Sequence, residues 1–115
     1  MESQKVAVVT GASSGIGKEI SLKLLSLNYK VIGVSRTIEN AIITHENFIP
    51  LQADLANMKA TLKVCEILKQ EDVYILINAA GFGKFEPHEE LSSKTIMDMT
   101  SLNLTTPMLL TNALL

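Results

Sequence analysis

A chain of 115 residues, 47% hydrophobic and 19% charged with a net charge of −2, is long enough to bury a core and lacks the basic footprint of a nucleic-acid binder. Its single cysteine, Cys65, excludes an internal disulfide and a paired-thiolate metal site, and no run approaches the ~20 apolar residues of a membrane-spanning helix. Residues 1–5 are polar and the apolar run after them is too short for a secretory leader, so a cytoplasmic location is expected.

Val6-Ala7-Val8-Val9 is an unbroken apolar run, the pattern of a strand buried on both faces, and residues 5–10 read as the first strand. A helix is predicted over 15–27, with Ile16, Ile20, Leu24 and Leu27 on one apolar stripe and Asn28 ending it. Residues 30–35 form the second strand, and 37–46, rich in β-branched residues, a weak short helix. The third strand is 48–52, where Pro50 points to an edge position. Asn57 is placed to cap a helix whose stripe is Met58, Leu62, Cys65 and Leu68. Residues 73–77 are the fourth strand, 82–91 a loop with Lys84, Glu86, Glu89 and Glu90, and 93 to the end one long helix. His45 and His88 fall in loops without a second ligand at metal spacing, and Cys65 reads as a small core residue.

Strands alternating with helices imply an α/β fold with a parallel sheet and right-handed crossovers. The expected order is 3-2-1-4, the start of a Rossmann-type sheet, carried by a single partial domain over residues 1–115 that stops after the helix following strand 4. The switch point then lies between strands 1 and 4. It brings Gly11 to Gly17 and Asn78 to Gly81 to neighbouring carboxyl ends of the sheet.

Three glycines, Gly11, Gly15 and Gly17, stand within seven residues directly before a helix. Backbone that must approach something closely favours glycine, and the N–H groups and positive dipole end of a helix start favour an anion. No Gly-Lys-Ser/Thr ending follows, so this is not a P-loop. Arg36, the only arginine, stands one residue past strand 2, about 20 residues beyond the glycine turn, where a dinucleotide's ribose 2′ group is read. Ser35 and Arg36 offer a hydroxyl and a guanidinium there instead of a carboxylate. A guanidinium matches phosphate in a two-pronged geometry, which favours NADP over NAD; a solvated loop arginine is the alternative.

Thr-Gly-x-x-x-Gly-x-Gly closing an apolar strand resembles the short-chain dehydrogenase/reductase family. Asp54-Leu55 after strand 3, Asn78-Ala79-Ala80-Gly81 after strand 4 and Asn103 in the last helix match further family motifs in order, with Ala79 replacing the second Asn of Asn-Asn-Ala-Gly. The resemblance implies a hydride-transferring oxidoreductase acting between a nicotinamide and a carbonyl or alcohol. It implies cofactor contacts at Gly11, Ser13, Ser14, Gly15, Ile16 and Gly17. Asp54 and Leu55 would meet the adenine, and Asn78, Ala79, Ala80 and Gly81 the crevice beyond it. Ser13 and Ser14 equally suit easing the turn into the helix, and Asp54 equally suits an N-cap.

Ile96, Met99, Asn103, Pro107, Leu110 and Leu114 fall at helical spacing, which puts an amide on an apolar stripe where it needs partners. Pro107 has no N–H for the Asn103 carbonyl, so the helix is expected to loosen there. The resemblance makes Asn103 catalytic, its backbone holding a water of the proton relay; a polar residue easing a proline kink is the alternative. The family's Tyr-x-x-x-Lys has no match, because Tyr29 is followed four residues later by Gly33 and Tyr74 by Asn78. The chain thus resembles the amino-terminal half of a family member, expected to be inactive alone. Leu102, Leu104, Met108, Leu109, Leu114 and Leu115, with the open edge of strand 4, predict self-association. A non-enzymatic dinucleotide-binding module is the second reading.

Overall fold

The computed structural model describes residues 4–81 and 88–115. The expectations placed on 82–87, including Lys84 and Glu86 of the charged loop, lie outside the described residues.

Four parallel strands, β1 (Val6–Thr10), β2 (Lys30–Ser35), β3 (Phe48–Gln52) and β4 (Val73–Asn78), form one sheet in the order β3-β2-β1-β4. Val8 of β1 stands opposite Ile32 on one side and Leu76 on the other. Every residue of β1 is buried, which follows from a strand covered on both faces. The helices are α1 (Gly15–Ser26), α2 (Met58–Leu68), α3 (Ser93–Thr100) and α4 (Thr106–Leu114).

Alternation along the strands sends side chains to two cores. Val6, Val8, Ile32 and Val34 pack with Val64, Cys65 and Leu68 of α2 and Leu110 of α4. On the opposite face, Ala7, Val9 and Val31 pack with Leu25 of α1 and with Ile38 and Ala41 of a 3₁₀ turn, Ile38–Ala41. That turn is all the helix found in the 37–46 segment. Pro50 lies on edge strand β3, as its missing N–H requires. Asn28 takes a left-handed φ of 68° and closes α1, while Asn28 N–H and Tyr29 N–H donate to the carbonyls of Leu25 and Leu24. Asn57 caps α2, its side chain accepting from Ala60 N–H at 2.9 Å.

The helical stripes are rotated from the sequence expectation. Around α1, Ile20 and Leu24 pack against the core as expected, but Ile16 and Leu27 are exposed and the fully buried residues are Gly17, Ser21 and Leu25. In α2, Met58 and Leu62 are exposed while Thr61 and Val64 lie inside beside Cys65 and Leu68. In the terminal helix, Leu110 and Leu114 of the expected stripe pack in the core, but Thr106 is buried and Asn103 is exposed. One cause serves all three helices. A small hydroxyl occupies one interior position of each helix and donates to a carbonyl: Ser21 to Gly17, Thr61 to Leu55 and Asn57, and Thr106 to Leu55. A satisfied hydroxyl can be buried, so the interior row includes residues that an apolar count skips.

The long terminal helix is not uniform. A π-helical segment, Ser101–Thr105, separates α3 from α4, and Thr106 N–H reaches back to the Ser101 carbonyl. Pro107 stands in the first turn of α4, so the loosening expected beside it takes the form of a π turn. Leu102, Leu109 and Leu114 pack against the α2 core, while Leu104, Met108 and Leu115 remain exposed. Cys65 is buried, and burial pushes its thiol up from its ordinary pKa. His45 lies in a loop, where its Nδ1 accepts from Asn47 N–H. Among the described residues, no helix is long and apolar enough to cross a membrane and no cluster of His, Cys, Asp and Glu is placed to hold a metal.

Candidate cofactor site

The carboxyl ends of β1, β2, β3 and β4 open into one cleft of about 570 Å³, within the usual range of small-molecule and cofactor sites. Its floor is the glycine turn. Gly11 has a φ of +66°, and a Cβ there would stand 2.8–2.9 Å from backbone atoms of Ala79 and Ala80. A Cβ on Gly17 would stand 2.0 Å from the Gly11 carbonyl oxygen. These two glycines let the β1 turn, the start of α1 and the β4 end close on one another. Gly15 has a φ of +55° and nothing within 4 Å of its Cβ position.

Thr10 fastens the β4 side. Its hydroxyl oxygen accepts from Ala79 N–H and Ala80 N–H, each at 3.1 Å. On the β2 side, Ser13 Oγ lies 2.8 Å from Ser35 Oγ and 3.4 Å from Thr37 Oγ1, and Thr37 N–H donates to Ser35 Oγ. The three hydroxyls cluster beside Arg36. No acidic residue stands in the first turn of α1, and Ser14, its N-cap residue, makes no side-chain cap bond. The capping alternative for the Ser14 hydroxyl is therefore not the one adopted. Asp54 is not an N-cap either: its Oδ1 accepts from Ala56 N–H at 3.0 Å, three residues before the Asn57 cap is complete. That turn carries Asp54 and Leu55 into the cleft wall.

The cleft brings together Gly11, Ser13, Ser14, Ile16, Gly17, Arg36, Asp54, Leu55, Ala79, Ala80 and Gly81. Gly15, Asn78 and Asn103 are not among its lining residues. Asn103 nevertheless adjoins its rim, because a Cβ on Gly81 would stand 2.7 Å from Asn103 Oδ1. Thr37, Lys94, Asp98 and Leu102 line the cleft without having been singled out for it in the sequence. Thr37 had a signal, a third hydroxyl beside Ser35 and Arg36. Lys94 and Asp98 had only four-residue helical spacing, and nothing local says that α3 borders the glycine turn. Lys94 Nζ lies 2.6 Å from Asp98 Oδ2. The hydrogen bond and charge of Asp98 hold Lys94 above its ordinary pKa; Asp54 adds to this and Arg36 opposes it. A glycine floor, an open helix start, a guanidinium and clustered hydroxyls form a cradle suited to a phosphate-bearing ligand.

The sequence model of the short chain dehydrogenase family matches residues 5–115. A probable NADP-dependent dehydrogenase of Haemophilus influenzae is 37% identical over 81 residues, covering 65% of this chain and 32% of the relative. Among solved structures, 4-hydroxyisoleucine dehydrogenase in complex with NADH superposes with a TM-score of 0.87 at 29% identity, covering 96% of this chain and 48% of that one. A metagenomic short-chain oxidoreductase in complex with NADP gives a TM-score of 0.86 at 31% identity, covering 96% and 54%. The strand order, the glycine turn and these matches make the chain a member of the short-chain dehydrogenase/reductase family, with its NAD(P)-binding Rossmann fold. The chain spans about a third to a half of the length of the proteins compared here.

Proposed function

We propose that the protein is an NADP-dependent oxidoreductase that moves a hydride between the nicotinamide and a carbonyl or alcohol, and that this chain is its cofactor-binding part. The observation that carries the cofactor preference is the end of β2. There Arg36 stands beside the Ser13, Ser35 and Thr37 hydroxyls, where a carboxylate would select the unmodified ribose. In this reading Gly11, Gly15, Gly17 and the start of α1, with Ser14 and Ile16, hold the pyrophosphate. Arg36 and Ser13 take the 2′-phosphate, and Asp54 and Leu55 take the adenine. Asn78, Ala79, Ala80 and Gly81 border the nicotinamide half. Asn103, within the π segment, has the catalytic role in this reading, positioning a relay water through its backbone. The bound nicotinamide supplies the hydride chemistry; the residues here bind and orient it.

Arg36→Ala is expected to weaken NADPH binding by about tenfold or more, and NADH binding by less than about twofold, the loss of a charge-assisted phosphate contact. Fluorescence titration of both nucleotides measures this, and equal losses would refute the preference.

We also propose self-association through the face of the terminal helix that carries exposed Leu104 of the π segment and Met108 of α4, together with the outer edge of β4. Light scattering is expected to report a multimer of the wild type and a shift towards monomer for Leu104→Glu with Met108→Glu. A wild type that stays monomeric as concentration rises contradicts it.

A further inference from the structure

A second cation, Lys94, lines the cleft with Arg36. Lys94 stands in the first turn of α3, after the N-cap Ser92. A cation at a helix start opposes the dipole. The compensating Asp98 lies four residues C-terminal to it, the weaker orientation for a helical ion pair. The eight-residue α3 has no acidic residue in its first turn. Stability of α3 therefore does not account for a lysine at this position. The Lys94 side chain is 85% exposed, yet Lys94 and Asp98 both line the cleft together with Arg36 and Asp54. The ammonium senses both of those charges.

We propose that Lys94 is a specificity-determining residue for the phosphate-bearing end of the dinucleotide, with Asp98 as the internal counter-ion that competes with the ligand for it. The proposal rests on the NADP reading above. Lys94 is paired to Asp98. A ribose 2′-phosphate held by Arg36 adds negative charge to the cleft that Lys94 lines and draws the ammonium from Asp98 toward the ligand. Two cations then face the 2′-phosphate, and Asp98 sets how much of the second charge is available.

Titration of the full protein with NADPH and NADH tests this in four forms: wild type, Lys94→Gln, Asp98→Asn and the double variant. Lys94→Gln is expected to weaken NADPH by about three- to fivefold, the scale of an exposed charge interaction, and NADH by less than about twofold. Asp98→Asn is expected to strengthen NADPH by about twofold or more, and that gain is expected to vanish when Lys94 is also replaced, since the two act as one unit. Lys94→Arg is expected to keep the preference. The NADPH effect should shrink as salt rises from 0.05 to about 0.5 M. Equal effects on the two nucleotides, or an Asp98→Asn gain that survives without Lys94, overturn the proposal. If Arg36→Ala discriminates between the nucleotides and Lys94→Gln does not, the proposal alone fails. If neither discriminates, the NADP reading fails with it.

Discussion

Gly17→Ala is expected to cost about 4 kcal/mol or more of folding stability, the range reserved for severe steric conflict in a packed interior. The added methyl would stand 2.0 Å from the Gly11 carbonyl oxygen and 2.7 Å from its carbon. Those atoms are backbone, so no rotamer relieves the clash. The turn cannot retreat, because Gly11 itself lies against the backbone of Ala79 and Ala80 and donates its N–H to the Val34 carbonyl at 2.8 Å. Gly15→Ala is the informative contrast. Its methyl meets nothing within 4 Å, and only the φ of +55° opposes it, which costs about 1–2 kcal/mol. Denaturant unfolding of the two variants should therefore separate them clearly. Losses of similar size would show that the turn can move and that its closeness does not shape the cleft.

The second large effect belongs to Thr10. Thr10→Val keeps the side-chain shape but removes the acceptor for Ala79 N–H and Ala80 N–H, leaving two donors at a part-buried site without it. The expected cost is about 2–4 kcal/mol, from the desolvation of the abandoned groups more than from the bonds themselves. Thr10→Ser keeps the oxygen and loses one methyl, for about 1 kcal/mol. Nucleotide affinity should fall in the valine variant even where it stays folded, since residues 78–81 lose the clamp that shapes them. Equal stability losses in the valine and serine variants would deny the hydroxyl this role.

Much of the sheet and its order could be read from the chain because parallel strands leave solid apolar runs: Val6–Thr10 is buried throughout, and Val73–Asn78 carries such a run although none of its residues is fully buried. Most of the cleft could be read too, since the glycine turn, Arg36, Asp54 and the Asn78 to Gly81 segment all lie just beyond strand ends, and topology alone gathers strand ends. What the apolar count misjudged was helix phase. Ser21, Thr61 and Thr106 are interior residues whose hydroxyls are satisfied by nearby carbonyls. Sequence periodicity treats a hydroxyl as an outward vote, whatever lies within its reach. Lys94 and Asp98 were missed for a different reason. Their place at the cleft depends on how α3 returns across the sheet, which no local pattern encodes.

The bracket on Leu55 bears on the order in which the molecule is assembled. Its carbonyl accepts from Thr61, six residues on, and from Thr106, 51 residues on. The first of these closes within one turn of chain. The second spans half the sequence and carries the closure entropy of that loop. A nascent or refolding chain can thus complete β1, α1 and β2 from near neighbours while the cleft wall beyond β3 still hangs by one hydroxyl. Only when α4 docks does the second hydroxyl arrive, so the binding groove is among the last parts of this topology to reach its working shape.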